Sequence, residues 1–224
     1  MQPIKLWGQM GSNPPKVAMI LAELRIPHEV IPIPISDGKK PEYLALNPNG
    51  RLPTIQDPNT DLTLWDSGAI IGYLIERYDT QQKLCFVPGT AEAYLAKQWL
   101  YFQTTGQGPY YGQAVWFKRF DHEHLPSAFE RYVKELYRVS NVLEEHLAKQ
   151  EKEFGEVAGF DGPWLVGNKL SYADLAFVPW QKVMPVVLDM EQYNEEDYPH
   201  LQKWIGRMAA RETVDSALKA AFQQ

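Results

Sequence analysis

The hydrophobic positions near the N-terminus alternate between short extended runs and helical spacing. Ile4–Trp7 and the β-branched run His28–Ile35 each have the length and composition of a strand. Between them, apolar residues recur every three or four positions after a Pro-Pro pair, which suits the first turn of a helix. These helical positions are Val17, Ile20, Leu21 and Leu24. Because a helix joins the two strands, we expect the strands to be parallel.

A second group of elements completes a small α/β domain over residues 1–80. Pro41–Leu46 predicts a short helix, while Thr54–Gln56 and Leu62–Trp65 predict an antiparallel pair joined by an Asp-Pro-Asn turn. Asp66-Ser67-Gly68 then opens a helix whose apolar residues share one face. Those residues are Ile70, Ile71, Leu74, Ile75 and Tyr78. The predicted order is therefore β-α-β, a short helix, and then β-β-α.

Helical periodicity dominates the rest of the chain. Residues 81–90 are polar and then bounded by Pro-Gly, so they predict a linker, and residues 91–224 predict an all-α domain. Ser171-Tyr-Ala-Asp174 is a variant of the capping box and predicts the start of one helix. Other helices are predicted at about Ala91–Phe117, Ser127–Glu153, Pro199–Ala210 and Thr213–Phe222.

Composition and charge exclude several classes of function. The 224 residues carry 22 Lys and Arg against 28 Asp and Glu, a net charge of −6, which argues against nucleic acid as a partner. No apolar run approaches the roughly 20 residues of a membrane helix, and no charged-then-apolar leader is present, so we expect a cytoplasmic protein without a membrane partner. Cys85 is the single cysteine, which excludes an intramolecular disulfide and fits a reducing compartment; we also expect no metal site.

Four segments together resemble the cytosolic glutathione S-transferases over essentially the whole chain. They are Gly-Ser-Asn-Pro-Pro-Lys-Val (11–17), Asn-Pro-Asn-Gly-Arg-Leu-Pro-Thr-Ile (47–55), Trp-Asp-Ser-Gly-Ala-Ile (65–70) and Ser-Tyr-Ala-Asp-Leu-Ala (171–176). The run Gln98–Gln103, followed by Gly106–Pro109, is most similar to Nu-class enzymes and to fungal relatives of the yeast nitrogen regulator. The resemblance implies a thioredoxin-like N-terminal domain, an all-α C-terminal domain, glutathione as co-substrate without a metal, and a two-fold homodimer.

The resemblance also places Leu52, Pro53, Asp66 and Ser67 at glutathione. In this family the proline is cis, and the backbone of the residue before it pairs with the cysteinyl part of glutathione like an added strand. The helix N-terminus at Asp66-Ser67 offers N–H groups to the γ-glutamyl carboxylate, and Asp66 can accept from the ammonium group beside it. Without the resemblance, an ordinary turn proline and a plain N-cap explain the same residues.

Ser12 and Asn13 follow the first strand, where a side-chain donor and the positive end of a helix favour the thiolate of glutathione. Lowering the pKa of a thiol by about two units corresponds to roughly 2.7 kcal/mol, which one or two such hydrogen bonds can supply. Nu-type members carry Thr or Ser, then Pro, then Asn, and here only Asn13 matches that pattern. Asn13 is the first candidate and Ser12 the second, and a role for both as helix caps alone stays open.

Four cations are candidates for the carboxylates of glutathione. Arg51, Lys39 and Lys40 lie near the predicted site in sequence, although exposed lysines are usually only solvated. Arg131 matches an arginine that Nu-type members direct toward glutathione, and its alternative is a surface ion pair with a neighbouring glutamate. Polar and aromatic residues of the helix predicted from Ala91 could line an acceptor pocket, although each fits a core position as well. They are Gln103, Tyr110, Tyr111, Gln113, Trp116 and Phe117.

The leading hypothesis from the sequence is a glutathione transferase that joins glutathione to small electrophiles in detoxification. The Nu-type resemblance adds redox chemistry, with a peroxide or a small disulfide as the acceptor. Cys85 lies in the predicted linker and not at the first helix, which disfavours a mixed-disulfide mechanism. The alternative is a non-catalytic module that binds glutathione and regulates a partner or carries a ligand.

Overall fold

Four short strands form one mixed sheet in the first part of the chain. In this computed structural model, which describes residues 1–188 and 194–222, the strands lie in the order β2-β1-β3-β4. They are β1 (Ile4–Trp7), β2 (His28–Ile31), β3 (Thr54–Asp57) and β4 (Leu62–Trp65). β1 and β2 are parallel, whereas β3 runs antiparallel to both β1 and β4. The predicted parallel pairing of the first two strands and antiparallel pairing of the last two are confirmed.

The second strand is shorter than the sequence pattern predicted. It ends at Ile31 rather than Ile35, because Pro32 and Pro34 have no backbone N–H to give to a strand ladder. Ile35 instead begins a short 3-10 turn, Ile35–Lys39. β-branched composition alone therefore overestimated the length of this strand.

Three helices complete the α/β part of the chain. They are α1 (Pro14–Glu23), α2 (Pro41–Leu44) and α3 (Ser67–Tyr78). Pro14 and Pro15 occupy the first turn of α1, where a missing N–H breaks no helical hydrogen bond. Most apolar residues on the inner faces of α1 and α3 are fully buried, namely Val17, Ile20, Leu21, Ile70, Ile71 and Leu74.

The chain divides into two compact units, one of residues 1–85 together with the segment from Ala209 onward, and one of Phe86–Met208. This division differs from the predicted bounds 1–80, 81–90 and 91–224 at the C-terminus. The last helix, α10 (Glu212–Phe222), belongs to the α/β unit because it packs on α1. Its attachment could not be deduced from its helical pattern, which shows only that one of its faces is apolar.

A buried carboxylate fixes the start of α10 to the end of α1. The Glu23 side chain is only 2% exposed, and its two oxygens accept from Arg211 Nε and Nη2, both at 2.8 Å. Thr213 Oγ1 also donates to Glu23, and Lys83 Nζ lies 3.3 Å from it. Burial alone raises the pKa of Glu23, but the hydrogen bonds from Arg211, Thr213 and Lys83 and the charge of Arg211 outweigh it and lower the pKa to about 2.

Helices joined by turns and loops make up the described residues of the second unit. Its helices are α4 (Ala91–Phe102), α5 (Gly108–Arg119), α6 (Pro126–Phe154), α7 (Tyr172–Gln181), α8 (Met184–Val187) and α9 (Pro199–Ala209). A π-helical turn, Gln103–Gln107, joins α4 to α5, so the single helix predicted over Ala91–Phe117 has a widened turn inside it. None of the helices that the structure describes is both long enough and apolar enough to cross a membrane.

The predicted capping box is present at the start of α7, where Asp174 is fully buried. Asp174 Oδ2 accepts from Ser171 N at 2.9 Å and Ser171 Oγ at 2.6 Å, while Oδ1 accepts from Leu165 N at 2.8 Å and Trp204 Nε1 at 3.0 Å. Burial raises the pKa of Asp174, and these bonds partly oppose that rise. The residue holds α7, α9 and the loop before α7 together, which agrees with a structural role.

Candidate functional site

The end of β1, the start of β3 and the end of β4 lie side by side in the sheet. Trp7, the last residue of β1, pairs with Thr54 at the start of β3, and Thr54 pairs with Trp65 at the end of β4. Neighbouring strands lie about 4.8 Å apart, so the segments that leave these three residues are within about 10 Å of one another. The segments are the loop before α1, the Leu52–Pro53 pair and the Asp66–Ser67 pair. The register thus brings together candidate residues that are far apart in sequence.

The Leu52–Pro53 peptide bond is cis, as the resemblance implied. The peptide unit between Arg51 and Leu52 is fixed, because the Arg51 carbonyl accepts hydrogen bonds from Tyr43 Oη at 3.0 Å and from Asn47 Nδ2 at 2.6 Å. Gly8, at φ +105°, lies so close to Leu52 that a side chain there would meet the Leu52 Cβ at 3.0 Å. Leu52 is therefore held by the hydrogen bonds to the carbonyl that precedes it and by the close packing of its side chain against Gly8.

Asp66 and Ser67 form the N-terminus of α3. Asp66 has a φ of +72°, an unusual conformation for a residue with a side chain, and such strained residues cluster at functional sites. Its Oδ1 accepts from Gly68 N at 2.9 Å and from Ala69 N at 3.3 Å, so the N-cap role exists. Both capping bonds end on Oδ1, and the residue is exposed, so the carboxylate can cap the helix and accept from a ligand ammonium group at the same time.

Lys16, in the first turn of α1, lies beside the candidate residue Ser67, although it was not among the residues predicted from the sequence. The residue is 1% exposed, and its Nζ donates to Ser67 Oγ at 3.3 Å. Burial lowers the pKa of Lys16 to about 7, although the charge of Asp66 acts in the opposite direction. Lys16 lies four positions before Ile20 on the buried face of α1, and this helical spacing was the signal that could have identified it.

Ser12 and Asn13 lie immediately before α1. Ser12 is 8% exposed, and Asn13 occupies the N-cap position without a capping hydrogen bond from its side chain. Asn13 therefore stands at the cap position, and its side chain makes no capping hydrogen bond there. Which of the two donates to a thiolate stays a prediction, because both stand at the same end of β1.

The candidate cations near this site are all exposed. Lys39 Nζ donates to the Asn49 carbonyl at 2.8 Å, and Lys40 Nζ lies 2.9 Å from Asp37 Oδ2. Gly50, at φ +62°, approaches the Gly38 carbonyl so closely that a Cβ there would lie 2.6 Å from it. The glycine therefore allows the loop that carries Arg51 to lie against the loop that carries the two lysines. A role in binding a carboxylate stays a prediction for each of these cations.

Arg131 lies on α6, in the second unit. It is exposed, and its Nη1 donates to Glu135 Oε1 at 3.0 Å, which is the surface ion pair expected as the alternative. Among the suggested acceptor residues, Gln103 and Tyr111 are fully buried and belong to the core. Trp116 is 52% exposed, and Phe117 stacks on Tyr132 with ring centroids 5.6 Å apart.

The part of the chain that the structure describes contains no cluster of side chains that could bind a metal ion. Within residues 1–188 and 194–222, no three His, Cys, Asp or Glu side chains lie close enough to hold a metal ion. Cys85 is a partly exposed thiol whose Sγ lies 3.9 Å from the Asp79 carbonyl oxygen.

Comparison with known proteins agrees with this geometry. Residues 12–77 match the family described as glutathione S-transferase, N-terminal domain, and residues 113–212 match glutathione S-transferase, C-terminal domain. The chain belongs to the glutathione S-transferase family. The first match contains Ser12 and Asn13, the cis-proline and the start of α3, together with the strand ends at Thr54 and Trp65.

Several members of the family are similar to this chain over nearly its whole length. The glutathione S-transferase-like protein gedE of Aspergillus terreus is 58% identical over 98% of this chain and 96% of its own length. The glutathione transferase URE2P6 of Phanerochaete chrysosporium, solved with oxidized glutathione, has a TM-score of 0.87 at 40% identity and covers 97% of this chain and 96% of its own. Ure2p in complex with glutathione has a TM-score of 0.88 at 34% identity, with 98% and 96% covered. The predicted resemblance to the fungal nitrogen regulator group is confirmed.

Proposed function

We propose that this chain binds glutathione at the edge of its sheet and transfers it to small electrophiles. The observation that carries the proposal is the register Trp7–Thr54–Trp65, which brings a cis-proline, a helix N-terminus and the loop before α1 to one edge. Relatives that align over 97% or more of this chain have been solved with glutathione or oxidized glutathione. The similarity to these relatives supports glutathione as the ligand, and the geometry supports the meeting strand ends as its binding site.

Each part of glutathione has a chemically matching partner in the proposal. The Leu52 backbone pairs with the cysteinyl unit as an added strand, next to Pro53. Ser67 and the N–H groups of α3 bind the γ-glutamyl carboxylate, while Asp66 accepts from the neighbouring ammonium. Arg51, Lys39 and Arg131 stay proposed partners of the carboxylates, of which the glycyl carboxylate is the natural target of Arg51 and Lys39.

The chemistry follows from keeping the sulfur charged. A free thiol has a pKa of about 8.5, so most of it is protonated at neutral pH. A donor from Asn13 or Ser12, together with the positive end of α1, lowers that pKa and gives a thiolate. The thiolate then attacks an electrophilic carbon to form a thioether and expels the leaving group, such as the halide of an aryl halide. With a disulfide it forms a mixed disulfide and releases the other half as a thiolate. With a hydroperoxide it takes up the terminal oxygen as a sulfenic acid, and the O–O bond breaks to release the alcohol. Neither side chain removes the proton itself, since donation to the anion is sufficient.

The test of this proposal combines retention and turnover. The protein is applied to immobilised glutathione, and retention with release by free glutathione supports binding at the proposed site. The bound fraction is then assayed with an aryl halide, a hydroperoxide and a mixed disulfide, because these report conjugation, peroxidase and reductase chemistry separately. Passage through the column without retention contradicts the proposal.

A second candidate function is a regulatory or carrier module that binds glutathione without turnover. It is favoured by the similarity to Ure2p, of which a nitrogen regulation fragment has been solved with a TM-score of 0.86 to this chain. Retention on the column with background turnover of all three acceptors would select this candidate. The proposed two-fold homodimer is tested by sedimentation, which should give about twice the 25.7 kDa of one chain.

A further inference from the structure

Lys16 carries an ammonium group, and burying such a charge costs free energy of desolvation. It is 1% exposed, whereas lysines are almost never fully buried unless they are paired. Its Nζ lies 3.3 Å from Ser67 Oγ, so it connects the first turn of α1 to the first residue of α3 across 51 positions of sequence. A methionine of similar length would fill the same space without the cost of a buried charge. Packing alone therefore does not explain why a charged residue occupies this position.

The hydrogen-bonding capacities of the two groups suggest that purpose. An ammonium group has three donors and no acceptor, so in this contact Ser67 Oγ accepts and its own proton is left for another acceptor. A serine hydroxyl polarised in this way is a better donor to a carboxylate, since a charged partner strengthens the next hydrogen bond in a chain. If the lysine loses its proton, its nitrogen gains a lone pair, and the Ser67 proton can turn inward to it.

We propose that Lys16 is a positioning residue of the glutathione site, which donates to Ser67 Oγ and thereby turns the Ser67 hydroxyl proton toward the γ-glutamyl carboxylate. This inference rests on the proposed function. Because Lys16 is buried, it acts through Ser67 and not by touching the ligand. The carboxylate in turn favours the protonated lysine, so binding and protonation are linked.

The surroundings of Lys16 determine how this linkage varies with pH. Burial lowers the pKa of Lys16 to about 7, and the described charged group that opposes this is Asp66, at the start of α3. Lys5, on the neighbouring strand β1, is exposed. The charged residues of α10, the third element packed on α1, are all at least partly exposed. They are Glu212, Asp215 and Lys219.

The expected consequence is weaker binding as pH rises through 7. Between pH 6 and pH 8, the protonated fraction of a group with a pKa of about 7 falls from about 90% to about 10%. Binding that requires the protonated lysine therefore weakens by about tenfold over this range, and it takes up a proton at the upper end. A ligand whose sulfur cannot ionise, S-methylglutathione, isolates this effect from the titration of the thiol.

The experiment is calorimetric titration of the whole protein with S-methylglutathione at pH 6, 7 and 8, in two buffers of different ionisation enthalpy. The wild type should lose about tenfold in affinity and show proton uptake at pH 8. Lys16→Met should bind the ligand about tenfold more weakly than the wild type at pH 6, and its affinity should not depend on pH. Lys16→Arg keeps its charge, so its affinity should be the same at all three pH values. Lys5→Met, on the exposed side of β1, is the matched control and should behave as the wild type does.

The outcomes separate this inference from the function on which it rests. Binding by the wild type that does not vary with pH and takes up no proton overturns the role of Lys16 and leaves the glutathione site intact. No binding by the wild type at any of the three pH values overturns both. If neither Lys16 variant folds, the proton uptake of the wild type alone decides the question.

Discussion

Asn13 and Ser12 occupy neighbouring positions at the end of β1, and their difference is testable at the scale of one side chain. Asn13 stands at the N-cap of α1 without using its side chain for the cap, whereas Ser12 is nearly buried. We expect Asn13→Ala to raise the pKa of bound glutathione thiol by about one unit, since it removes one hydrogen bond to an anion. The ultraviolet absorbance of the bound thiolate measures this change.

Ser12→Ala is the matched comparison for Asn13→Ala, because both truncations leave the helix N-terminus in place. It should change the thiolate absorbance less. A larger loss in Ser12→Ala than in Asn13→Ala would transfer the donor role to Ser12, and equal absorbance in both variants and the wild type would leave the helix end as the source of stabilisation.

Lys16 should also affect how stability depends on pH. Its pKa in the folded protein is about 7, against an ordinary value of 10.5, so the unfolded chain holds the extra proton between these values. The free energy of unfolding therefore rises with pH across this window, by up to about 1.4 kcal/mol per unit relative to Lys16→Met. Urea melts of both proteins at pH 7, 8 and 9 measure the difference. A constant difference would show that the buried lysine does not titrate near 7.

At the scale of elements, the attachment of α10 to α1 depends on Glu23. Its pKa is about 2 in the folded protein, against an ordinary value of 4.5, so its contribution to stability is complete above pH 4.5 and is lost as pH falls toward 2. We expect Glu23→Gln to lower the free energy of unfolding by on the order of 3 kcal/mol at pH 7, because Arg211 loses its charged partner. The deficit should shrink as the pH of the urea melts is lowered from 5 to 2.

An exposed ion pair on α10 provides the control for Glu23. Lys219 Nζ lies 2.6 Å from Asp215 Oδ2, but the two side chains are 56% and 46% exposed. Lys219→Met should therefore change the free energy of unfolding by less than about 1 kcal/mol. A Glu23→Gln variant as stable as Lys219→Met would show that the buried cluster does not hold α10.

At the scale of the whole molecule, the sequence was informative where structure is determined by neighbours along the chain. Strand and helix order, the hairpin of β3 and β4 and the cap at Asp174 all follow from local periodicity and turn residues. The family motifs gave the cis bond at Pro53, which general X-Pro frequencies alone do not indicate.

The long-range contacts of the site and of the fold could not be predicted, because they join distant parts of the chain. Lys16 meets Ser67 across 51 positions, and Glu23 meets Arg211 across 188. Helical spacing places Lys16 on the buried face of α1, but no local pattern shows which element it will contact. The early end of β2 is the opposite case, since Pro32 was visible in the sequence and was outweighed by the β-branched residues around it.

The central claim is that the edge of the sheet binds glutathione, and calorimetric titration with reduced and oxidized glutathione tests it most directly. We predict one molecule bound per chain, with affinity reduced about tenfold in Ser67→Ala and unchanged in Ser127→Ala, a surface serine of α6. Absence of any heat of binding with either form of glutathione would contradict the account.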